Sequence, residues 1–262
     1  MTRKIKRTRA FELTLEIKDD AFVRPPTDAQ RNWLLNRTLR EAADDLEALD
    51  DVARRFVPGG TRALPSDLRS ADLTDAQIME DWQLPLMRAM ADIAGRTRGD
   101  ILEVGFGRGI SAELIQAWAP RSHTLIECNP AIVERFHVWR EGKPDRDIRM
   151  VEGLWQDVLD GLGRFDAIFF HTYALDEDEA IDLLSSSVTF AEHFFAPAAA
   201  HLVEGGVFTY LTNEIDSLSR AHQRRLFEHF TSFRVHVVPL QMPPDVQDAW
   251  WAPSMAVIEV HR

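Results

Sequence analysis

Residues 101–111 constrain this chain more than any other stretch of its sequence. An apolar, β-branched run ends at Val104, and three glycines follow at two-residue spacing: Gly105, Gly107 and Gly109. A pattern typical of a helix begins directly afterwards. Glycine lets a backbone turn tightly and approach a ligand without a Cβ atom in the way. The stretch therefore predicts a strand, a tight turn and a helix start that together bind a nucleotide.

The spacing of these glycines separates two kinds of nucleotide-binding loop. A dinucleotide fingerprint has glycines at its first, third and sixth positions, but the sixth position counted from Gly105 is Ile110. An acid followed by three glycines is instead similar to the loop of methyltransferases that use S-adenosylmethionine. We therefore expect S-adenosylmethionine as the cofactor, with Glu103 and the Gly105–Gly109 backbone around its methionine part.

Composition limits the partners and the compartment. The chain has 262 residues, a formal net charge of −12 and a single cysteine, Cys128. An acidic protein lacks the basic face that a phosphate backbone needs, so we expect no nucleic-acid partner. One cysteine cannot form an intrachain disulfide. The sequence shows neither an apolar run that could cross a bilayer nor a signal peptide. We expect a cytoplasmic enzyme with no membrane partner and no metal.

Residues 1–70 form a separate unit by their pattern. Positions 11–17 alternate between apolar and polar residues, as in a half-buried strand. A capping box at Thr27 opens a helix that runs to about Phe56. Both elements need a partner for their apolar faces, so we expect this N-terminal extension to be a lid or the contact of a homodimer. The sequence leaves both open.

Residues 71–262 alternate between short strands and helices, which is typical of a parallel sheet covered on both faces. A helix is predicted from Thr74 to about Gly95, and Pro85 should kink or break it. Only a loop joins the last two strands, so the final strand should run antiparallel. This seven-stranded, Rossmann-like α/β arrangement is similar to the class I methyltransferases. The predicted strands lie at 100–104, 123–127, 147–151, 165–170, 206–212, 233–239 and 254–260. The other helices are predicted near 109–118, 130–140, 177–202 and 217–230, with a shorter turn around 154–160.

Three further strand ends carry informative residues, because ligands of such sheets lie at the carboxyl ends of the strands. Glu127 ends the second strand, where an acid can accept hydrogen bonds from both ribose hydroxyls; stabilisation of a helix N-terminus is the alternative. Trp155 follows the third strand and can lie against the adenine ring or pack in the core. His171 follows the fourth strand, where a titratable group faces the cleft, and is the leading candidate for chemistry, with a spectator role as the alternative.

Several strings between Ile78 and Asn213 resemble the family of guanidinoacetate N-methyltransferase and the related arginine N-methyltransferases. They are Met79-Glu80-x-Trp82-x-x-Pro85-x-Met87, Leu102-Glu103-Val104-Gly105-Phe106-Gly107, Ile126-Glu127-Cys128-Asn129, Gly153-Leu154-Trp155-x-Asp157-Val158, Phe165-Asp166-x-Ile168, Thr172-Tyr173 and Gly205-Gly206-Val207-x-Thr209-Tyr210. The resemblance implies that a set of residues contacts the cofactor: Met79, Met87, Phe106, Gly107, Arg108, Gly109, Ile110, Ser111, Glu127, Asn129, Leu154 and Trp155. We add Cys128, beside Glu127, and His171.

The same resemblance breaks at two positions that concern the methyl acceptor. Guanidino methyltransferases hold their cationic substrate with two carboxylates, and the corresponding residues here are Gln83 and His171. Burying a guanidinium without a carboxylate is costly. We therefore expect the fold and the cofactor to be retained but the acceptor not to be guanidinoacetate. Glu80, Asp81 and Glu214 are the acids that could substitute.

The sequence then favours a methyltransferase of secondary metabolism that acts on a small, neutral nitrogen heterocycle or amide, for example by indole C3- or N-methylation of a tryptophan-derived cyclic dipeptide. In this hypothesis His171 is the base, Gln83 orients the acceptor and Tyr173 assists. The alternatives are a guanidino or arginine N-methyltransferase with rearranged acids, and a non-catalytic cofactor-binding protein. Further substrate contacts are expected from Trp82, Thr212, Trp250 and Trp251, of which the last two can equally pack under the terminal hairpin.

Overall fold

The structure is a computed structural model that describes residues 69, 71–175, 179, 186–241 and 252–262. The predicted strand at 11–17, the predicted helix at 27–56 and the loop tryptophans Trp250 and Trp251 lie outside these residues. The division into residues 1–70 and 71–262 therefore stays a prediction. Within the described ranges, no helix combines the length and the apolar character that crossing a bilayer requires.

The strands of the described chain form one seven-stranded sheet. The strands are β1 (Asp100–Val104), β2 (Ser122–Glu127), β3 (Ile148–Glu152), β4 (Phe165–Phe170), β5 (Leu202–Thr212), β6 (Ser232–Pro239) and β7 (Ser254–His261). Their order in the sheet is β3-β2-β1-β4-β5-β7-β6. The strands β1 to β5 are parallel, whereas β7 runs antiparallel to both of its neighbours. The predicted α/β sheet, including its reversed last strand, is confirmed.

Helices and short turns connect these strands. The α-helices are α1 (Asp75–Ile78), α2 (Leu84–Gly95), α3 (Ile110–Gln116), α4 (Pro130–Glu141), α5 (Trp155–Val158), α6 (Phe195–His201) and α7 (Arg220–Phe227), and 3-10 turns lie at Asp81–Gln83, Leu159–Gly161 and Phe190–Phe194. Of the predicted helix at 177–202, the described part holds the last of these turns and α6. The chain has already entered β5 at Leu202.

The predicted helix from Thr74 to Gly95 is divided into three pieces. Met79 and Glu80 have extended backbones between α1 and the 3-10 turn. Pro85 then lies in the first turn of α2, where the missing N–H of proline removes no helical hydrogen bond. Of the two outcomes predicted for Pro85, the break is present and the kink is not, because a new helix starts here.

Strand β1 contributes to two cores, because side chains alternate along a strand. Leu102 and Val104 pack with an aromatic cluster beside α6 and α7, whereas Ile101 packs against Met90 of α2. Each fully buried Leu or Met side chain contributes about 1.5–3 kcal/mol. This burial fixes α2, and the turn that precedes it, against the sheet. Six residues of the segment 79–90 recur at helical spacing in the sequence and are all buried: Met79, Trp82, Gln83, Leu86, Met87 and Met90.

Candidate active site

The loop after β1 bends because its three glycines adopt positive φ angles: +93° at Gly105, +53° at Gly107 and +75° at Gly109. A Cβ atom on Gly105 would lie 2.3 Å from the carbonyl oxygen of His171, so a larger residue does not fit there. The backbone N–H of His171 also donates to the carbonyl of Val104 at 3.1 Å. The loop after β1 is thus joined to the loop after β4, and the predicted strand, turn and helix start are present.

Glu127 closes the same loop from the side of β2. Its Oε2 accepts the backbone N–H of Phe106 at 3.0 Å and lies 3.5 Å from that of Gly107. Its Oε1 accepts the N–H groups of Cys128 and Asn129 at 2.8 and 3.0 Å. A carboxylate stabilises such a concave set of N–H groups. The predicted ribose contact of Glu127 stays a prediction, and the ribose hydroxyls would share lone pairs that backbone donors already use.

Other side chains of the loop point into the protein. The ring of Phe106 packs edge-on against Phe136, with centroids 5.5 Å apart, and Ile110 packs against the core around α2. The hydroxyl of Ser111 donates to Glu103. The cofactor contacts expected from Phe106, Ile110 and Ser111 stay predictions, and their side chains already contact the protein.

Glu103 lies beneath the glycine loop. Its second carboxylate oxygen is 2.9 Å from Nε2 of His123, a close ion-pair distance without the alignment of a hydrogen bond. The other ring nitrogen of His123 is 3.1 Å from the amide nitrogen of Gln116. Glu103 and His123 are fully buried, so these groups support the loop through α3. The predicted contact of Glu103 with the methionine part of the cofactor stays a prediction.

Asn129 and the residues after β3 have structural contacts of their own. The Oδ1 atom of Asn129 accepts the N–H of Ala131 at 2.9 Å and caps α4. Leu154 is the N-cap of α5. The half-buried ring of Trp155 stands edge-on to Phe194, with centroids 4.9 Å apart. Trp155 thus belongs partly to the aromatic core, and its contact with adenine stays a prediction.

The predicted catalytic residues are linked to one another. The hydroxyl of Tyr173 donates to Oε1 of Gln83 at 3.1 Å. The imidazole of His171 lies 5.3 Å from the Tyr173 ring, at an interplanar angle of 70°. Burial lowers the pKa of His171 to about 4, because a charged imidazolium loses its hydration there. His171 is therefore neutral at pH 7.

Of the other predicted substrate residues, Trp82 and Thr212 are described, and both are buried. The indole N–H of Trp82 donates to Glu80 at 2.8 Å. Thr212 ends β5, and its buried hydroxyl has no hydrogen-bond partner among the described residues. Met79 and Met87, for which cofactor contacts were expected, are buried in the core around α2.

The three acids that could replace the missing carboxylates all have partners, and one partner of Glu80 is the indole N–H of Trp82. Asp81 accepts a hydrogen bond from Arg108 at 2.7 Å. Glu214 accepts the N–H of Ser219 at 2.8 Å, and its other oxygen lies 2.8 Å from Nδ1 of His222.

Sequence reasoning missed the group that Glu214 joins. The Nε2 atom of His222 is 2.6 Å from the hydroxyl of Tyr210, so a tyrosine, a histidine and a glutamate form a buried chain behind β5. Burial, first, and the nearby Glu214 carboxylate raise the pKa of Tyr210 well above its usual value. Tyr210 is therefore the donor to Nε2 of His222, and the Nδ1–H group of His222 donates a hydrogen bond to Glu214. No local pattern links these three residues, because the contact depends on how α7 packs on the sheet.

Fold and loop together define the class to which the structure belongs: they are those of the class I S-adenosylmethionine-dependent methyltransferases. S-adenosylmethionine fits this position, because the sharply bent glycine loop follows β1 beside the end of β4, at the carboxyl edge of the sheet where ligands of such folds lie. The crystal structure of SMU.776, described as a putative methyltransferase complexed with SAH, has a similar fold. The alignment covers 84% of this chain and 67% of that chain, with a TM-score of 0.53 and 10% sequence identity.

Sequence comparison identifies the family. The family model of guanidinoacetate N-methyltransferase matches residues 66–230, which is more than half of the chain, so the chain belongs to this family. Protein arginine N-methyltransferase 2 of Emericella nidulans is 37% identical over 126 residues, covering 44% of this chain and 29% of the relative. The same-named protein of Eremothecium gossypii is 32% identical over 116 residues, covering 40% and 28%. The chain thus spans less than a third of the length of these curated relatives.

Proposed function

We propose that this chain methylates an uncharged, nitrogen-containing small molecule that is held between Gln83, Tyr173 and His171. The observation that carries the proposal is the Tyr173–Gln83 hydrogen bond of 3.1 Å beside a neutral His171. All three side chains are neutral at pH 7, and each can donate or accept a hydrogen bond. Such a set suits an amide, an imidazole or an indole better than a cation.

Each of the three side chains has a distinct part in this proposal. Bound S-adenosylmethionine supplies an electrophilic methyl group, so the protein has to orient the acceptor and exclude water. Gln83 and Tyr173 orient the acceptor through hydrogen bonds. The neutral imidazole of His171 accepts the proton that the acceptor loses when its new bond to carbon forms. With a pKa of about 4, the protonated imidazole returns this proton readily to solvent.

A guanidino or arginine acceptor is the second candidate, and the comparisons favour it over the tryptophan-derived cyclic dipeptide expected from the sequence. The curated relatives carry the name protein arginine N-methyltransferase 2. A neutral His171 does not repel a guanidinium, which removes one objection to this candidate. In this candidate the guanidinium of the acceptor would pair with Glu80, which directly precedes the turn that carries Gln83 and whose carboxylate also accepts from Trp82.

Several finer expectations remain proposals. The acceptor can be a free small molecule or, for the second candidate, an arginine side chain of a protein. A homodimer contact through residues 1–70, a cytoplasmic location and a place in natural-product biosynthesis rest on the sequence alone. Membership of a methyltransferase family argues against a non-catalytic cofactor-binding protein.

Calorimetry with S-adenosylmethionine tests the cofactor, and a methyl-transfer screen tests the acceptor. The screen contains arginine, guanidinoacetate, an arginine-containing peptide and tryptophan-derived diketopiperazines. Two variants distinguish the candidates. For an uncharged acceptor, Gln83→Glu should lower kcat/KM by about 10- to 100-fold through an unpaired charge, and Glu80→Gln should change it by less than about threefold.

The opposite pattern would support the second candidate. If only guanidino compounds are methylated, and Glu80→Gln removes the activity while Gln83→Glu preserves it, the acceptor is a cation. If the wild-type chain takes up no S-adenosylmethionine, both candidates are wrong.

A further inference from the structure

We infer that Arg108 is a positioning residue that couples cofactor occupancy of the glycine loop to the placement of residues 79–83, here called the acceptor segment. The inference rests on the proposed function and deepens it, because the acceptor segment carries Gln83. It assigns the Arg108 side chain a role other than cofactor contact. The evidence is the direction in which its guanidinium leaves the loop.

Arg108 lies between two glycines of the cofactor loop, but its guanidinium contacts the acceptor segment. The Nη1 atom donates to the carbonyl of Met79 at 2.9 Å and to Oδ1 of Asp81 at 2.7 Å. The Nε atom lies 3.8 Å from the Asp75 carboxylate of α1. The Arg108 side chain is 21% exposed, whereas that of Asp81 is 77% exposed. The arginine is thus the more buried member of the pair.

The local backbone explains why this contact matters. Met79 and Glu80 are extended between α1 and the 3-10 turn. The Met79 carbonyl therefore has no place in the hydrogen bonding of either element and needs another donor. A hydrogen bond from a charged donor is roughly twice as strong as one between neutral groups. Asp81 is the first residue of the turn that ends at Gln83. One guanidinium therefore fixes both the entry to the turn and its first residue.

A second arginine supplies a matched comparison. Arg135 of α4 donates to Asp75 at 2.6 Å and to the carbonyl of Leu73 at 3.2 Å. The amide of Asn129 donates to the carbonyl of Ala71 at 2.9 Å. These contacts hold the chain before the acceptor segment, and Arg135 does so from a helix. Arg108 makes its contacts from the loop on which the cofactor lies.

This difference predicts an energetic coupling. Glycines on both sides give the backbone around Arg108 a wide range of accessible conformations, so the contacts of the loop, including those with a bound cofactor, set the position of Arg108. A cofactor that orders the loop would fix the position of Arg108, and through it the acceptor segment. Coupling between two sites in a protein is typically worth about 5- to 150-fold in an equilibrium constant.

Hydrogen exchange on the full-length chain tests this coupling with S-adenosylhomocysteine (SAH) as the probe, so no acceptor is required. In the wild type, saturating SAH should slow exchange of the amides of residues 79–83 by about tenfold. In Arg108→Met, the slowing should fall below about twofold, while calorimetry shows an SAH affinity within a few-fold of the wild type. Arg135→Met should retain the tenfold slowing at 79–83 and lose protection only at 71–75.

Each other result overturns the inference in a recognisable way. If Arg108→Met keeps the full slowing at 79–83, or if the wild type shows none, Arg108 does not couple the sites. If Arg108→Met no longer binds SAH, its side chain belongs to the cofactor site itself. If the wild type does not bind SAH, the proposed function fails as well, and calorimetry alone distinguishes that case.

Discussion

Gly105 and His171 approach so closely that a Cβ atom on the glycine would lie 2.3 Å from the histidine carbonyl oxygen. The glycine belongs to the glycine loop after β1, and the histidine belongs to the loop after β4, which is expected to carry the chemistry. Their contact means that the absence of one side chain sets the distance between the two loops. The relationship is testable by adding a single carbon atom.

Gly105→Ala should lower the free energy of unfolding by about 2–4 kcal/mol, because the new Cβ meets a backbone oxygen and the φ of +93° strains any other residue. Denaturant unfolding followed by circular dichroism measures the change. Gly161→Ala is the matched control, since nothing lies within 4 Å of a Cβ there. We expect less than about 0.5 kcal/mol for it, and equal effects in the two variants would contradict the explanation.

Glu127→Gln should weaken S-adenosylmethionine binding by about 1–3 kcal/mol, because the amide replaces one acceptor oxygen and leaves loop N–H groups without a partner. Calorimetry gives the affinity. Glu152→Gln is the control, since Glu152 pairs with Glu127 in the register of β2 and β3 but is exposed. If the two variants bind the cofactor equally, the assignment of Glu127 is wrong.

His171→Ala should keep cofactor affinity within a few-fold and lower turnover at pH 7 by about 10²–10⁴, the usual range for a lost general base. The wild-type rate should be flat near neutrality and fall only as the pH approaches the His171 pKa of about 4. Single-turnover rates between pH 4 and 8 provide the measurement. A descending limb near pH 6.5, or an unchanged rate in the variant, would remove His171 from the mechanism.

The stability of the fold should depend on pH through the imidazole of His171, and the direction of its pKa shift sets the sign. Burial lowers the His171 pKa from 6.5 to about 4, so on acidification the unfolded chain binds this proton first. The stability present above pH 6.5 should therefore decline from about pH 6.5 to pH 4. Thermal unfolding across this pH range measures the decline in stability, which should be smaller in His171→Gln than in the wild type. Parallel curves would show that the group does not titrate in this way.

Tyr210→Phe should destabilise the fold by about 1–3 kcal/mol, because it leaves the buried Nε2 of His222 without its donor. It should not change the KM for the acceptor. Tyr173→Phe is the reciprocal control: Tyr173 is 48% exposed, so the stability should change by less than about 0.5 kcal/mol. Its acceptor KM should rise, because the hydroxyl that holds Gln83 is lost. The pair is informative because both changes remove one hydroxyl group.

Much of the fold follows from local patterns. Apolar runs bounded by glycine and polar residues gave the strands to within a few residues, and the short link between the last two strands gave the reversed β7. Pro85 shows the limit of such reasoning: its ring is compatible with a helix start as well as with a kink. The choice depends on where α2 packs against the sheet, which a local pattern does not contain.

In the candidate site, too, some features follow from local patterns and others depend on packing. Residue types and spacing were enough to predict the glycine loop, the acid at the end of β2, and an amide and an imidazole at Gln83 and His171, because they set backbone freedom and charge. Tertiary structure alone decided that Glu103 turns beneath the loop to His123, that Arg108 reaches back to Met79 and Asp81, and that Tyr210 meets His222. These contacts join residues on different elements, so their partners are chosen by packing of the helices on the sheet.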